Sequence, residues 1–198
     1  LRGKRQGMGL LKLSNGDVYR GEFFEGLFAG LGTYTFACGD VYHGNFLKGK
    51  RHGKGVIRFA NGSSYKGDWV KGYRTGTGVF TDKKGNRWWG STFFRGKLDG
   101  KGQFAGKEGE SYVGEYRMGE RDGLGTYVFA NGDEYEGGWK RDEMAGRGTY
   151  VFKALRERYT GQFLHRLRHG RGKYEFNDGA VYDGDFEYDR RHGKGKYV

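Results

Sequence analysis

The chain has no proline and one cysteine, Cys38. A single thiol excludes an internal disulfide framework and fits a reducing compartment. Bulk for a globular core is also scarce. Twelve leucines, ten valines, 15 phenylalanines and one isoleucine make up under a fifth of 198 residues. No apolar run within these residues is long enough for a signal peptide or a membrane span. The Asn61-Gly62-Ser63 triplet matches a glycosylation acceptor, but no secretory context accompanies it. With a net charge of +12, this composition ordinarily marks a chain that stays disordered. The exception is a chain whose abundant residues are ordered in a period.

The abundant residues are 41 glycines, 15 tyrosines, 15 phenylalanines and four tryptophans, and they are periodic. Aromatic residues stand at Tyr19, Tyr42, Tyr65, Trp88, Tyr112, Tyr135, Tyr159 and Tyr182, in steps of 23 or 24. Two residues after each comes a glycine, from Gly21 to Gly184, and then a second aromatic: Phe23, Phe46, Trp69, Phe93, Tyr116, Trp139, Phe163 and Phe186. Later in each unit lies a G-x-G pair, from Gly30/Gly32 to Gly193/Gly195, followed by Tyr34 or its counterpart. The array fills residues 1–198: a partial leading unit at 1–18, seven full units over 19–181, and a partial trailing unit at 182–198.

Alternation sets the local structure. Tyr19, Gly21 and Phe23 are spaced by two, as are Gly32, Tyr34 and Phe36, so each set shares one face of a strand. Each unit reads as a β-hairpin with its tip near residues 26–30 and a connection near Cys38-Gly39-Asp40. Glycine normally weakens a strand, so regular glycines imply that rings pack against the bare backbone. The absence of proline agrees with a ladder in which nearly every amide donates. The expected fold is all-β: an elongated, single-layer, twisted antiparallel sheet of tandem hairpins, cupped over its aromatic face. About 17 strands at roughly 4.8 Å spacing give a length of about 80 Å. Neighbouring units stabilise each other because one hairpin cannot bury its own rings. Two places break the pattern. An extra residue in Ser91-Thr92-Phe93-Phe94 is expected to form a bulge, and the connection over 153–158 is longer by one, with Leu155 in place of glycine.

The unit Y-x-G-x-[WF]-x-x-G-x-x-x-G-x-G-x-[YF]-x-F-x-x-G resembles the MORN repeat (membrane occupation and recognition nexus), and the resemblance covers the whole chain. It implies a non-catalytic scaffold or adaptor, similar to all-repeat cytoskeletal scaffolds of protozoa and to ciliary and membrane-junction proteins. It also implies two alternatives. One is a module binding phosphoinositides or other anionic phospholipids. The other is an accessory array of a larger enzyme, since such repeats precede lipid-kinase and methyltransferase domains.

Nothing in the sequence converges on catalysis. Acids such as Glu22, Asp68, Glu115 and Asp185 recur once per unit on the solvent face, where they read as cross-strand partners of Lys and Arg. The stretch over 49–55 lacks phosphate-loop spacing. His165 and His169, with Cys38 of a second copy, would supply too few ligands for a zinc ion that wants about four. No enzyme activity, cofactor or metal is therefore expected.

The positive charge has a location. Lys50, Arg51, His52, Lys54, Arg168, His169, Arg171, Arg190, Arg191, His192 and Lys194 lie near hairpin tips and are expected to form a basic ridge. Such a ridge suits solubility or an anionic surface. About six contacts at roughly 1 kcal/mol each give binding in the range of tens of micromolar. Nucleic acid is not expected, because the rings are committed to packing. Leu27 and Phe28 make one tip apolar, which reads either as a protein contact or as a side chain folded over the neighbouring tip. Open strand edges invite pairing, so a homodimer is expected through Tyr182, Phe186, Tyr188, Tyr197 and Val198. The expected location is the cytoplasm, on the cytoskeleton or the cytoplasmic face of a membrane. The incomplete end units suggest that Leu1 lies inside a longer array.

Overall fold

The computed structural model describes residues 3–198, apart from the side chain of Ser91. The fold is all-β, with no helix among the described residues, and it divides into two compact units, Leu1–Leu98 and Asp99–Val198. The first unit contains β1 (Gly7–Lys12), β2 (Val18–Phe24), β3 (Leu27–Thr35), β4 (Val41–Leu47), β5 (Lys50–Arg58), β6 (Ser64–Val70), β7 (Tyr73–Thr81), β8 (Arg87–Phe94) and β9 (Lys97–Leu98). The second contains β10 (Gly100–Ala105), β11 (Ser111–Arg117), β12 (Glu120–Val128), β13 (Glu134–Lys140), β14 (Glu143–Phe152), β15 (Glu157–Leu164), β16 (Leu167–Glu175), β17 (Val181–Glu187) and β18 (Arg190–Tyr197). Within each unit every strand pairs antiparallel with its neighbour in sequence.

The hairpin turn is tighter than the sequence suggests. It consists of Glu25 and Gly26 alone, with φ of 49° and 82°. Two successive left-handed residues match the right-handed twist of the flanking strands, which is why two-residue turns of this hand close hairpins. Leu27, Phe28 and Ala29 are therefore the first residues of β3, not a tip loop. This corrects the expected tip at residues 26–30.

The two glycines of each G-x-G pair do different jobs. Gly21 pairs with Gly32, but the next residue, Glu22, pairs with Ala29, so two residues of β3 bulge out of the hairpin. Gly30 takes φ of 51° at that bulge, a region that costs other residues energy. The acidic side chain opposite caps it: Leu31 N–H donates to Glu22 Oε1 (3.2 Å), Thr77 to Asp68 Oδ2 (3.0 Å) and Lys194 to Asp185 Oδ2 (3.1 Å). Gln162 does the same for Arg171 (3.1 Å). The recurring acids are thus first of all bulge caps. Asp68 also pairs with Lys54 (2.5 Å), and these bonds hold its carboxyl below the usual carboxylate range, the Lys54 contact contributing most.

Gly32, by contrast, is a seat. A Cβ there would lie 2.5 Å from Tyr19 Oη, because the ring lies flat on the backbone. Tyr19, Tyr42, Tyr65, Tyr112, Tyr135 and Tyr159 are all fully buried at 0% exposure. Each O–H donates to the carbonyl three residues on, at 2.8–3.2 Å: Tyr19 to Glu22, Tyr42 to Asn45, Tyr65 to Asp68, and likewise in the second unit. Each ring meets an aromatic edge from its own hairpin and another from the next. Tyr19 lies 5.1 Å from both Phe23 and Phe46, and Tyr42 lies 5.1 Å from both Phe46 and Trp69. Tyr135 repeats this with Trp139 and Phe163. Edge-to-face pairs of this kind add about 1 kcal/mol beyond area burial. The core is thus a ladder of shared rings, as the period requires. Trp88 is half-buried where a tyrosine stands elsewhere. Gly78 faces Gly90 while Gly76 faces Phe93, which places the expected bulge between Gly90 and Phe93.

A second staple closes the base of several hairpins. Asp133 is buried and accepts from Tyr150 O–H (3.0 Å) and Lys153 N–H (2.9 Å). Asp17 does the same for Tyr34 (2.5 Å) and Ala37 (2.8 Å), and at the lengthened connection Glu157 takes over for Tyr174. Asp133→Ala would leave a half-buried hydroxyl and an amide unpartnered, a loss of about 2 kcal/mol. Hydrogen exchange should show that loss in β13 and β14, and unchanged protection there would contradict the staple.

Candidate functional site

The two-residue turn decides which side chains look out over the rings. It pairs each second aromatic with the residue five positions later: Phe23 with Phe28, Phe46 with Arg51, Trp69 with Arg74, Phe93 with Leu98, Tyr116 with Arg121, Trp139 with Met144, Phe163 with Arg168 and Phe186 with Arg191. These partners lie on the ring face near the tips. Arg51 sits 4.5 Å from the Trp69 ring and 5.7 Å from that of Tyr42. Arg121 sits 4.3 Å from Trp139 and 4.9 Å from Tyr127. Arg168 lies 5.3 Å from Tyr174, and Arg74 lies 5.4 Å from Tyr65. Guanidinium groups over aromatic faces gain from the ring quadrupole. Burial lowers the pKa of Arg51 and Arg74 from its usual value without removing the charge.

This arrangement opens the same cleft in each unit. In the first unit Phe28, Tyr34, Phe36, Phe46, Lys50 and Arg51 line about 270 Å³. In the second, Arg168, Tyr174, Phe176, Phe186, Arg190 and Arg191 line about 450 Å³. The residues correspond position by position, with Arg168 in the place of Phe28. On the opposite, polar face of the second unit, Glu136, Arg147, Arg171, Lys173 and Asp183 edge an open trough of about 770 Å³.

The expected basic ridge is therefore split between two faces. Arg51, Arg168 and Arg191 lie on the aromatic side. Lys54, paired with Asp68, and Arg171, 3.3 Å from Asp183, lie on the other, and Lys50 stands at the turn opposite Leu47, where it also borders the cleft. His169 stands opposite Gln162 with its ring 5.2 Å from Tyr188, His192 lies 3.5 Å from Glu187, Arg190 faces Glu187, and Lys194 follows the bulge at Gly193. His52 is half-buried next to Arg51 in β5.

Phe28 is not an exposed tip residue. It stacks on Tyr19 with ring centres 3.9 Å apart, while Leu27 points the other way and is 49% exposed. Of the expected dimer contacts, Tyr182 and Phe186 are buried within their own chain, and Tyr188, Tyr197 and Val198 are exposed. His165 lies 2.9 Å from Glu143, and among the described residues no three His, Cys, Asp or Glu side chains converge as metal ligands. The sequence reading missed the arginine column. Its signal is an arginine five residues after the second aromatic, a spacing that acquires meaning only once the turn is known to hold two residues.

No curated protein matches the chain. Among solved structures it is similar to the TCP10 domain of Danio rerio CPAP, at 14% identity and a TM-score of 0.51, covering 89% of this chain and 83% of that one. A point mutant of that domain gives the same TM-score and identity over 89% and 82%. The TCP domain of Drosophila melanogaster SAS-4, solved with a proline-rich motif of Ana2, gives 9% identity and a TM-score of 0.48 over 91% and 90%. At such identities the likeness is one of fold. The MORN repeat model matches at 1–18, 19–41, 42–64, 65–87, 91–111, 112–134, 135–153, 159–181 and 182–198. Its gaps at 88–90 and 154–158 fall on the bulged strand and the lengthened connection. With nine repeats matched from one end to the other, the chain belongs to the MORN repeat family.

Proposed function

We propose that this chain is a non-catalytic scaffold that binds other proteins through its aromatic and arginine face. The observation that carries the reading is the recurrence of one cleft, built from corresponding residues, in both units. Tyrosine, tryptophan and arginine dominate the energy of protein interfaces when they sit in desolvated pockets. Repeat arrays present extended surfaces of this kind, and several weak sites on one chain add through avidity. We place the scaffold on the cytoskeleton or at the cytoplasmic face of a membrane. We also propose that it is a homodimer joined at the last repeat, because every residue of β18, Tyr197 included, is exposed and the exposed Tyr188 and Val198 flank it.

Proteins captured by the full chain should be lost from a Phe36→Ala/Phe176→Ala variant whose circular dichroism is unchanged. Capture of the same proteins by that variant would overturn the reading. Sedimentation should show a dimer that Tyr197→Arg dissociates, and a monomer at micromolar concentration would end the dimer proposal.

One observation favours a second reading, a surface for anionic phospholipids. On the outer face of the first unit Phe24, Leu27, Leu47, Val70, Tyr73 and Phe94 are all exposed beside the tips. Lys48, Lys50, Lys71 and Lys97 are exposed among them. Apolar side chains flanked by lysines suit an interfacial membrane contact. Co-sedimentation with phosphatidylserine vesicles that falls with salt would support this reading. Vesicle binding that survives Lys48→Glu/Lys71→Glu would exclude it.

A further inference from the structure

Two ring-face arginines of the second unit, Arg121 and Arg168, are held in a fixed way. Asp142 stands at the second turn position, and its Oδ1 accepts from both the main-chain N–H (3.0 Å) and the Nε–H (2.9 Å) of Arg121. Arg121 Nη2 completes the fork by donating to the Asp142 carbonyl (3.1 Å). Arg168 and Asp189 repeat all three bonds at 2.8, 2.9 and 2.9 Å. Charge-assisted forks of this kind are strong and directional.

In the first unit the fork is present without its carboxylate. Arg51 Nη2 donates to the Gly72 carbonyl at 3.0 Å, which reproduces the third bond. Glycine supplies no side chain for the other two. Among the described residues Arg51 makes no ion pair. The nearby Asp40 carboxyl is engaged by Ala60 N–H at 2.8 Å. A Cβ added at Gly72 would meet nothing within 4 Å, so the space in front of the fork is open. The fork also borders the cleft of Phe28, Phe36 and Phe46. A half-buried guanidinium over a tryptophan has a strong demand for an anion.

We infer that the Arg51 fork at Gly72 is a carboxylate-recognition site, which takes an Asp or Glu side chain of a bound partner where Asp142 serves Arg121 internally. Only the source of the carboxylate rests on the protein-binding reading above. The fork itself follows from the comparison of the two units. The planar pair formed by a main-chain N–H and Nε–H matches one carboxylate oxygen, and the ring cleft beside it takes the apolar neighbours of that acid in an extended segment.

The test uses the full chain labelled with ¹⁵N, with the Arg51 and Arg121 Nε–H resonances assigned through Arg51→Lys and Arg121→Lys. The probe is N-acetyl-aspartate methylamide, with sodium chloride at equal ionic strength as the reference. Arg51 should shift and saturate, while Arg121 should not move because Asp142 fills its fork. Gly72→Asp should abolish the Arg51 response, and Asp142→Gly should make Arg121 respond. An Arg51 resonance that does not saturate, or that shifts equally with chloride or in Gly72→Asp, would overturn the inference. Tighter saturation by inorganic phosphate than by the aspartate probe would overturn the carboxylate assignment. If the probe behaves as expected while Phe36→Ala/Phe176→Ala leaves protein capture intact, the fork stands and the protein-binding reading of the cleft falls.

Discussion

Gly55→Ala should cost more than about 3 kcal/mol and unfold the region around β4 to β6, although it adds a single methyl group. The added Cβ would lie 2.3 Å from Tyr42 Oη and 2.6 Å from two ring carbons, with no flexible side chain in the way to yield. The ring must leave its seat, and it is fully buried. Displacing a buried aromatic of about 200 Å² forfeits up to about 5 kcal/mol of apolar burial. The edge contacts to Phe46 and Trp69 and the hydroxyl bond to the Asn45 carbonyl go with it. Gly53, two residues earlier in the same G-x-G pair, provides the contrast. Its φ is 66°, and a Cβ there would meet Asn45 at an ordinary 3.5 Å. Gly53→Ala should therefore cost only the left-handed penalty of about 1–2 kcal/mol. Because neighbouring repeats unfold semi-independently, the measurement is hydrogen exchange resolved by strand, alongside the denaturant midpoint. Equal losses in the two variants would show that the glycines are not divided into seat and bulge.

That division also marks the limit of what the sequence discloses. The 23-residue return of Tyr, Gly and Phe was enough to name the strands, their buried face and the sharing of rings between hairpins, because period-2 alternation leaves little freedom. The turn was not legible. The bulge at Gly30 and Leu31 removes two residues from the hairpin register, so alternation keeps its phase and gives no sign of the insertion. The longer apparent tip then swallowed Leu27 and Phe28. The same error hid the site. Arg51 and Arg168 read as part of a basic ridge at the tips, because their pairing with Phe46 and Phe163 depends on the length of the turn. In the sequence Asp142 and Asp189 merely stand where other units carry a tip glycine such as Gly72. Only their bonds to Arg121 and Arg168 show that they stand in for a ligand group. The acids at Glu22 and Asp68 were correctly placed on the outer face, but their main duty is to a backbone amide, which no side-chain pattern reveals.

Between pH 10 and about 12 the sheet should unfold, with tyrosinate formation and loss of sheet signal rising together. Burial pushes Tyr42, Tyr65, Tyr112 and Tyr159 from the ordinary 10.0 up to about 12. Tyr34 and Tyr174 also reach about 12, first through burial and then through their bonds to Asp17 and Glu157. Tyr116, Tyr135 and Tyr150 are raised as well, with burial the leading cause. Below pH 10 both states hold these protons and their contribution to stability is complete. Between pH 10 and the folded values the unfolded chain releases protons that the folded chain keeps, so stability falls as pH rises. The slopes of all these residues add, which makes the loss steep and the transition sharp. Absorbance at 295 nm and circular dichroism should therefore change together. Tyrosinate forming gradually from pH 10 with the sheet signal intact would mean that the rings are open to water and the ladder is wrong. Tyr159→Phe separates the two contributions of one ring. It removes one titrating proton, so the alkaline limb becomes shallower. It also strips the Gln162 carbonyl of its partner at 3.0 Å, so neutral-pH stability drops by about 1 kcal/mol. A variant that lost stability at pH 7 but kept the full alkaline slope would show that Tyr159 is not among the groups that hold their protons.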